Sequence, residues 1–136
     1  MAVLKHYSVD RPMSLSDIVT LEIDMRWSRE AGTMAPHENV IPMGAVLALD
    51  GEGKYVPYMT ELPPENSGDA PVIADQAIAV LISKDLPASD DDQPCTVIRR
   101  GACVAVANLP WPDGVTDAQK KTALGQLSAL GIVPKE

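Results

Sequence analysis

The C-terminal stretch RRGACVAVANLPWPDGVTDAQKKTALGQLSALGIV, residues 99–133, constrains the fold more than any other part of the chain. A short apolar run leads into a corner where Trp111 stands between two prolines, each of which fixes its own φ and restricts the residue before it. Thr116 is the predicted N-cap of the next helix, and Gln119 completes a capping box. Gly131 has the place of the glycine that ends a helix. The chain must therefore close with a strand, a rigid corner and a capped helix.

The segments CTVIRR and ACVAVAN precede this corner as two apolar runs joined at Arg100 and Gly101. Glycine readily adopts the positive φ that a two-residue hairpin turn needs, so the pattern predicts a hairpin here. In that register Cys95 and Cys103 lie on opposite faces of the sheet. We therefore expect both cysteines to remain free thiols.

MGAVLALDGEGKYVPY predicts a second hairpin, with strands at 43–49 and 54–58 and a turn at Asp50–Gly53. Pro57 places the second strand at a sheet edge or ends it. The segment DQAIAVLISKDL fits either a short helix or a buried strand, and its β-branched residues favour the strand. Residues 28–42 and 60–71 are rich in Pro, Gly and polar residues, and we expect them to be irregular connections.

In LEIDMRW, apolar and charged residues alternate strictly, which predicts a half-buried strand over residues 21–27. Residues 1–20 contain no sustained periodicity and favour a flexible arm. We therefore divide the chain into an N-terminal arm, 1–30, and one β-rich domain, 31–136. The strand's apolar residues either contact another protein or pair inside the domain or with a neighbouring subunit; they are Leu21, Ile23, Met25 and Trp27.

The net charge of −8 and a pI near 4.6 argue against nucleic acid as a partner, because phosphate binding depends on a basic surface. The sequence contains neither a signal-like apolar run nor a membrane-spanning one, so we expect a soluble protein made in the cytoplasm. Only five residues are aromatic and none is Phe, so the core consists mainly of small apolar side chains. Such a core buries little area per residue and favours an oligomer.

No recognisable catalytic, phosphate-binding or metal-binding motif occurs in the sequence, and we predict a protein that is not an enzyme and has no cofactor. His6 and His37 do not accompany any nucleophile arrangement. The run Asp90–Asp92 lacks the interleaved spacing of a calcium loop and indicates a solvated acidic loop. Trp111 is either a local core anchor or part of a subunit seam, where rigid aromatic residues are enriched.

The order of these elements resembles the lambda-type head decoration proteins of tailed bacteriophages. The resemblance covers about residues 74–133: AIAVLISKDLPAS, an apolar hairpin with Arg-Gly at its turn, LPWPDG, and the helix containing Lys120-Lys121. The hairpin MGAVLALDGEGKYVPY also falls where the family has one, and His6-Tyr7 falls in the arm. The N-terminal region, including LEIDMRWSRE, is longer than in the shorter family members.

The resemblance implies an α+β, mainly β, compact antiparallel fold of the β-tulip type, with a short C-terminal helix and an extended N-terminal arm. It implies a homotrimer that binds the major capsid protein on the outer surface of the expanded head, at three-fold and quasi-three-fold sites. There it would stabilise the shell against the pressure of the DNA inside. Two alternatives remain at this stage: a tail or adhesin domain, and a small non-catalytic accessory subunit of an enzyme.

Overall fold

The computed structural model describes residues 13–64, 66 and 68–136. In chain order its helices are α1 (Leu15–Ile18), α2 (Met25–Ser28) and α3 (Asp117–Ala129), with a 3-10 turn at Val106–Asn108. Its strands are β1 (Val19–Glu22), β2 (Arg29–Met34), β3 (Val46–Leu49), β4 (Tyr55–Pro57), β5 (Thr60–Leu62), β6 (Val72–Ala74), β7 (Ala79–Leu81), β8 (Gln93–Ile98), β9 (Ala102–Ala105) and β10 (Ile132–Lys135). The fold is mainly β, as the sequence predicted.

Five strands close into a small barrel in the order β2-β4-β3-β7-β8. Most neighbours are antiparallel, and the parallel contact between β2 and β4 at Met34 and Tyr55 closes the barrel. Gly32 makes this closure possible, because a Cβ at that position would overlap the ring of Tyr55. Closing the sheet leaves these strands with no long free edge in the barrel.

A three-stranded sheet in the order β1-β9-β10 packs outside the barrel together with α3. The outer strand β1 is antiparallel to β9, and β10 is parallel to it. The capping box of α3 is present as predicted: Thr116 Oγ1 accepts the Gln119 N–H at 3.2 Å, and Gln119 Oε1 accepts the Thr116 N–H at 2.9 Å. The helix is followed by its C-cap Leu130 and then by Gly131, whose φ of +84° suits a residue without a Cβ. A third, two-stranded sheet pairs β5 with β6.

The barrel wall at β3, β7 and β8 is buried on both faces. Leu47, Leu81 and Val97 point into the barrel, and the residue beside each of them in sequence points outward. Those outward residues, Val46, Val80 and Ile98, pack with α3, β9 and β10 in a second apolar cluster. One wall therefore serves two cores, which makes the barrel and its covering layer one packing unit.

The predicted hairpin around Arg100-Gly101 is wrong. β8 pairs with β2 and β7 inside the barrel, whereas β9 pairs with β1 and β10 in the outer sheet. The chain crosses from one sheet to the other at Arg99–Gly101, where Gly101 has a φ of +59°. The glycine does mark a sharp bend, but the strands on either side of it pair with strands from other parts of the sequence.

The predicted strand 21–27 is also wrong in its bounds. The strand here is β1, residues 19–22, and a helical turn, α2, occupies 25–28. Asp24 ends the extended stretch because its carboxylate caps this turn, accepting the Arg26 N–H at 2.8 Å. The arm assigned to residues 1–30 stays a prediction. Residues 1–12, with His6 and Tyr7, lie outside the described residues, while Ile18 is fully buried.

Other local predictions have mixed outcomes. The hairpin of β3 and β4 is confirmed, and its second strand ends at Pro57. A strand, β7, is confirmed in the ambiguous segment DQAIAVLISKDL. Residues 28–42 and 60–71, expected to be irregular, contain the strands β2 and β5. The antiparallel fold also contains two parallel pairs, β2 with β4 and β9 with β10.

Replacing Gly101 by Ala should lower the free energy of unfolding by at least about 1–2 kcal/mol, the cost of a left-handed conformation for a residue with a Cβ. The new Cβ would also lie 2.9 Å from Trp27 Cε3 and closer still to Cζ3, so the indole must move. Urea unfolding measures the change. Gly125→Ala is the matched control: Gly125 is exposed inside α3 with open space around it, and alanine there should stabilise by about 0.5–1 kcal/mol.

Candidate functional site

Four large apolar side chains of residues 21–27 are exposed on the folded domain. The exposed fractions of Leu21, Ile23, Met25 and Trp27 are 59, 69, 61 and 53%. We call these four residues the N-terminal patch. Single exposed apolar residues are common on protein surfaces, but four within seven positions, beside further apolar surface, are typical of an interaction site.

Leu21 extends the patch onto the outer face of the three-stranded sheet. It is paired with Cys103 on β9, and Cys103 is paired with Val133 on β10. The three side chains form a row across the sheet on the face away from the core, since the alternate residues Ala102, Val104 and Ile132 are buried. Val133 is 40% exposed, so the apolar surface runs across all three strands.

Trp27 is exposed but firmly held. Its ring covers Gly101, and the Arg100 guanidinium lies 6.0 Å from the ring centroid, within cation–π range. Arg100 also donates to the Trp27 carbonyl at 2.6 Å and to a carboxylate oxygen of Glu30 at 2.7 Å. These contacts hold both the ring and the main-chain carbonyl of Trp27 in place. An aromatic side chain held in this way loses little conformational entropy when a partner covers it.

The backbone around the patch is tied to the domain at both ends. Ile23 N–H donates to the Gly101 carbonyl at 2.9 Å, and the buried Ser28 hydroxyl donates to the same oxygen at 3.0 Å. Arg29 makes a bidentate ion pair with Glu22, with distances of 2.7 and 2.9 Å. The hydrogen bond to Glu22 raises the pKa of Arg29 above its usual value, so the guanidinium stays charged. The patch is therefore preorganised.

A separate open groove of about 1040 Å³ lies beside the Trp-Pro corner. Its lining is mostly apolar and rich in proline, with Pro36, Val40, Pro42, Tyr58, Met59, Pro110, Trp111 and Pro112 among the residues. All charged side chains among its described lining residues are acidic: Glu38, Glu61 and Asp113. The groove is therefore suited to an apolar protein surface rather than to a phosphate-bearing ligand.

Trp111 connects the groove to the core. Its ring packs edge-on against Tyr58, with centroids 6.3 Å apart and an interplanar angle of 71°. The Tyr58 hydroxyl donates to the Gln119 carbonyl at 3.0 Å, which anchors the start of α3. Burial raises the pKa of Tyr58, so this hydroxyl stays protonated as a donor. Trp111 is only partly buried, and it serves as a core anchor while one part of it faces the groove.

The remaining candidate residues, His37 and the acidic run Asp90–Asp92, make contacts within the fold. His37 links two loops, with Nδ1 2.9 Å from the Ala35 carbonyl and Nε2 2.9 Å from the Pro87 carbonyl. Asp92 of the acidic run pairs with Lys54 at 3.0 Å. Within the described residues no group of His, Cys, Asp or Glu is arranged to hold a metal ion. The helices that the structure describes are too short or too polar to span a bilayer.

Sequence reasoning found the four patch residues but missed their neighbours. Cys103 and Val133 join the patch only because β9 pairs with β1 and β10, and these pairings are non-local. The sequence places Arg100 in a hairpin turn. Its contact with Trp27 joins residues that are far apart in the sequence, so no local pattern predicts it. Val40, which is 58% exposed in the groove, lies within residues 28–42, for which the sequence predicts only an irregular connection.

The comparisons with known proteins give one family. The family model for bacteriophage lambda head decoration protein D matches residues 9–132 of the 136. Among curated proteins, no match to this chain was found. The family match covers the patch, the groove and the C-terminal helix alike.

Thiol labelling of the folded protein should distinguish the two cysteines. Cys95 is buried in the barrel, and burial raises the pKa of its thiol, so little reactive thiolate is present near neutral pH. Cys103 is only partly buried, in the row with Leu21 and Val133. A disulfide reagent should therefore react quickly with one thiol and slowly with the other.

Cys103→Ser should abolish the fast phase of this reaction, and Cys95→Ser should leave it intact. In urea both thiols of the wild type should react at similar rates, because unfolding removes the burial of Cys95. Two fast thiols in the folded protein would contradict the buried position of Cys95.

Proposed function

Because the chain belongs to the bacteriophage lambda head decoration protein family, we propose that it binds the outer surface of the expanded phage head as a homotrimer at three-fold and quasi-three-fold sites. The family is structural, which fits a chain without recognisable catalytic motifs. The proposed partner is the major capsid protein. The proposed role is to stabilise the shell against the pressure of the packaged DNA.

The observation that carries this proposal is the N-terminal patch. Its four side chains stay 53–69% exposed although the surrounding backbone is tied to the domain. We assign the patch to the capsid contact, together with the N-terminal residues of the predicted arm, 1–30. The row formed by Leu21, Cys103 and Val133 would continue this contact across the outer sheet.

The patch supplies a useful amount of binding free energy. Fully burying an apolar side chain of this size stabilises by about 1.5–3 kcal/mol, so covering the exposed half of four such residues contributes at most roughly 3–6 kcal/mol per subunit. The backbone is already ordered, so less entropy is lost on binding than for a mobile segment. Three linked copies then bind with an effective concentration near millimolar after the first contact.

Such binding would stabilise the head by linkage. A trimer that contacts several capsid subunits at once adds contacts only in the expanded, assembled shell. Its binding free energy therefore opposes separation of those subunits. The acidic charge of the protein fits a position outside the shell, away from the DNA.

The groove beside Trp111 is the proposed subunit seam. Its proline-rich walls are rigid, its lining is mostly apolar, and it lies apart from the residues of the N-terminal patch. Two separate apolar surfaces suit a protein that contacts both its own copies and a different partner. Val40, at 58% exposure, is the most exposed large apolar side chain in the groove.

Leu21→Thr should weaken binding to expanded heads, measured by co-sedimentation of the purified protein with bare shells. The change removes apolar area from the patch but keeps a residue suited to a strand. A loss of 1.4 kcal/mol at one binding site weakens affinity roughly tenfold. Because the three patches of a trimer bind together, we expect the apparent affinity of the variant to fall by more than about tenfold.

Val72→Thr is the matched control for Leu21→Thr. Val72 also lies on an exposed strand position, with 53% exposure, but on β6 outside the patch. Val72→Thr should bind like the wild type. The free energy of unfolding of both variants should lie within about 0.5 kcal/mol of the wild-type value. Equal binding of all three proteins, or equal binding of the wild type to expanded and unexpanded shells, would contradict the proposal.

Val40→Asp should convert the trimer into monomers while leaving the domain folded. It places a charge in an apolar seam near Glu38 and Glu61, so association would bury like charges. Light scattering should give three times 14.5 kDa for the wild type and 14.5 kDa for the variant. Val72→Asp is the control and should remain trimeric. A monomeric wild type at micromolar concentration rules out the proposed trimer.

A further inference from the structure

The sequence contains two Asp-Gly dipeptides, Asp50–Gly51 and Asp113–Gly114. The hydrogen bonds around the two aspartate carboxylates differ. Asp-Gly is the dipeptide most open to attack of a main-chain nitrogen on the preceding carboxyl group, because glycine has no Cβ to obstruct the approach. Asn-Gly, the related step, does not occur in the chain. The two sites therefore provide an internal comparison.

The carboxylate of Asp50 is held by its own turn. Asp50 Oδ1 accepts the Glu52 N–H at 2.8 Å and the Lys54 N–H at 3.0 Å. The turn is also closed on the main chain, where Asp50 N–H donates to the Lys54 carbonyl at 2.8 Å. The carboxylate is thus held by two main-chain N–H groups, and it cannot turn to meet Gly51 N without breaking these bonds.

The carboxylate of Asp113 is exposed and receives no hydrogen bond from the described residues. The turn around it, Pro112–Val115, is closed by one long hydrogen bond, from Val115 N–H to the Pro112 carbonyl at 3.3 Å. Gly114 is likewise exposed, with a φ of +88°. Rotation of the Asp113–Gly114 peptide toward the carboxyl group therefore breaks one weak hydrogen bond at the surface.

We propose that Asp113 is a site of spontaneous isoaspartate formation in the folded protein, and that Asp50 is protected. Gly114 N forms a bond to Asp113 Cγ, and one water molecule leaves to give a five-membered succinimide. Water then opens the ring at either carbonyl. One product is the original aspartate; the other is isoaspartate, in which the main chain passes through Cβ and Cγ. The mass is unchanged overall, and no oxidant or cofactor takes part.

The position of the site gives the modification a consequence. Isoaspartate adds one methylene to the main chain between the corner at Trp111 and the N-cap Thr116. Val115, inside this turn, packs on the core cluster that contains α3. The product would therefore alter the lip of the groove. This consequence rests on the proposed function: a subunit that stays on an assembled head would keep such a product as the particle ages.

The test is to age the folded full chain at physiological temperature and neutral pH. Isoaspartyl methyltransferase with a labelled methyl donor detects the product, and peptide mapping with electron-transfer fragmentation locates it. We expect label on the peptide with Asp113 and none on the peptide with Asp50. Asp113→Glu, which keeps the charge but does not form the five-membered ring, should lose the label.

The same ageing in urea provides the matched control. Unfolding removes the bonds to the Asp50 carboxylate, so both peptides should then acquire label at similar rates. Label on Asp50 in the folded protein, or label on Asp113 only after unfolding, would overturn the proposal. Asp113 also lines the groove proposed as the subunit seam, so Val40→Asp, the variant designed to be monomeric, is aged beside the wild type. Label on Asp113 in the folded variant tests the modification separately from the trimer and from capsid binding.

Discussion

The two-sided burial of the barrel wall is the constraint on which the rest of the structure depends. Adjacent residues of β3, β7 and β8 point to opposite sides, and both sides are apolar and dry at Leu47, Leu81 and Val97 and at their neighbours in sequence. A sheet with two buried faces needs a filled interior and a covering layer. The three-stranded sheet and α3 provide that layer, with Leu127 and Ile132 fully buried against the wall.

This arrangement also explains how small side chains build a stable domain. The chain has no Phe, and its core relies on Val, Ile, Leu and Ala. A strand that contributes to two clusters buries nearly all of its side-chain area, which offsets the small size of each residue. Tyr58 is the largest fully buried side chain among the described residues; its ring contacts Trp111, and its hydroxyl donates to the Gln119 carbonyl.

The same constraint leaves surface for interaction at the periphery. The outer sheet has one face on the core, so its other face carries the exposed Leu21 and Val133, with the partly buried Cys103 between them. The crossing at Gly101 holds Trp27 beside that face. A rigid domain with a fixed apolar surface fits membership in a family of head decoration proteins, whose members are structural components of the particle.

The sequence by itself determined the features that are local. The capping box at Thr116 and the hairpin of β3 and β4 depend on residues a few positions apart, and the family followed from the order of such elements. Tertiary structure decided the features that depend on distant partners. Arg99–Gly101 looked like a hairpin turn, but β8 pairs with β2 and β7, and β9 pairs with β1 and β10. The alternating pattern over 21–27 likewise does not form one strand: the strand stops before Asp24, which caps a helical turn. An apolar stripe specifies a strand only where a second surface covers it.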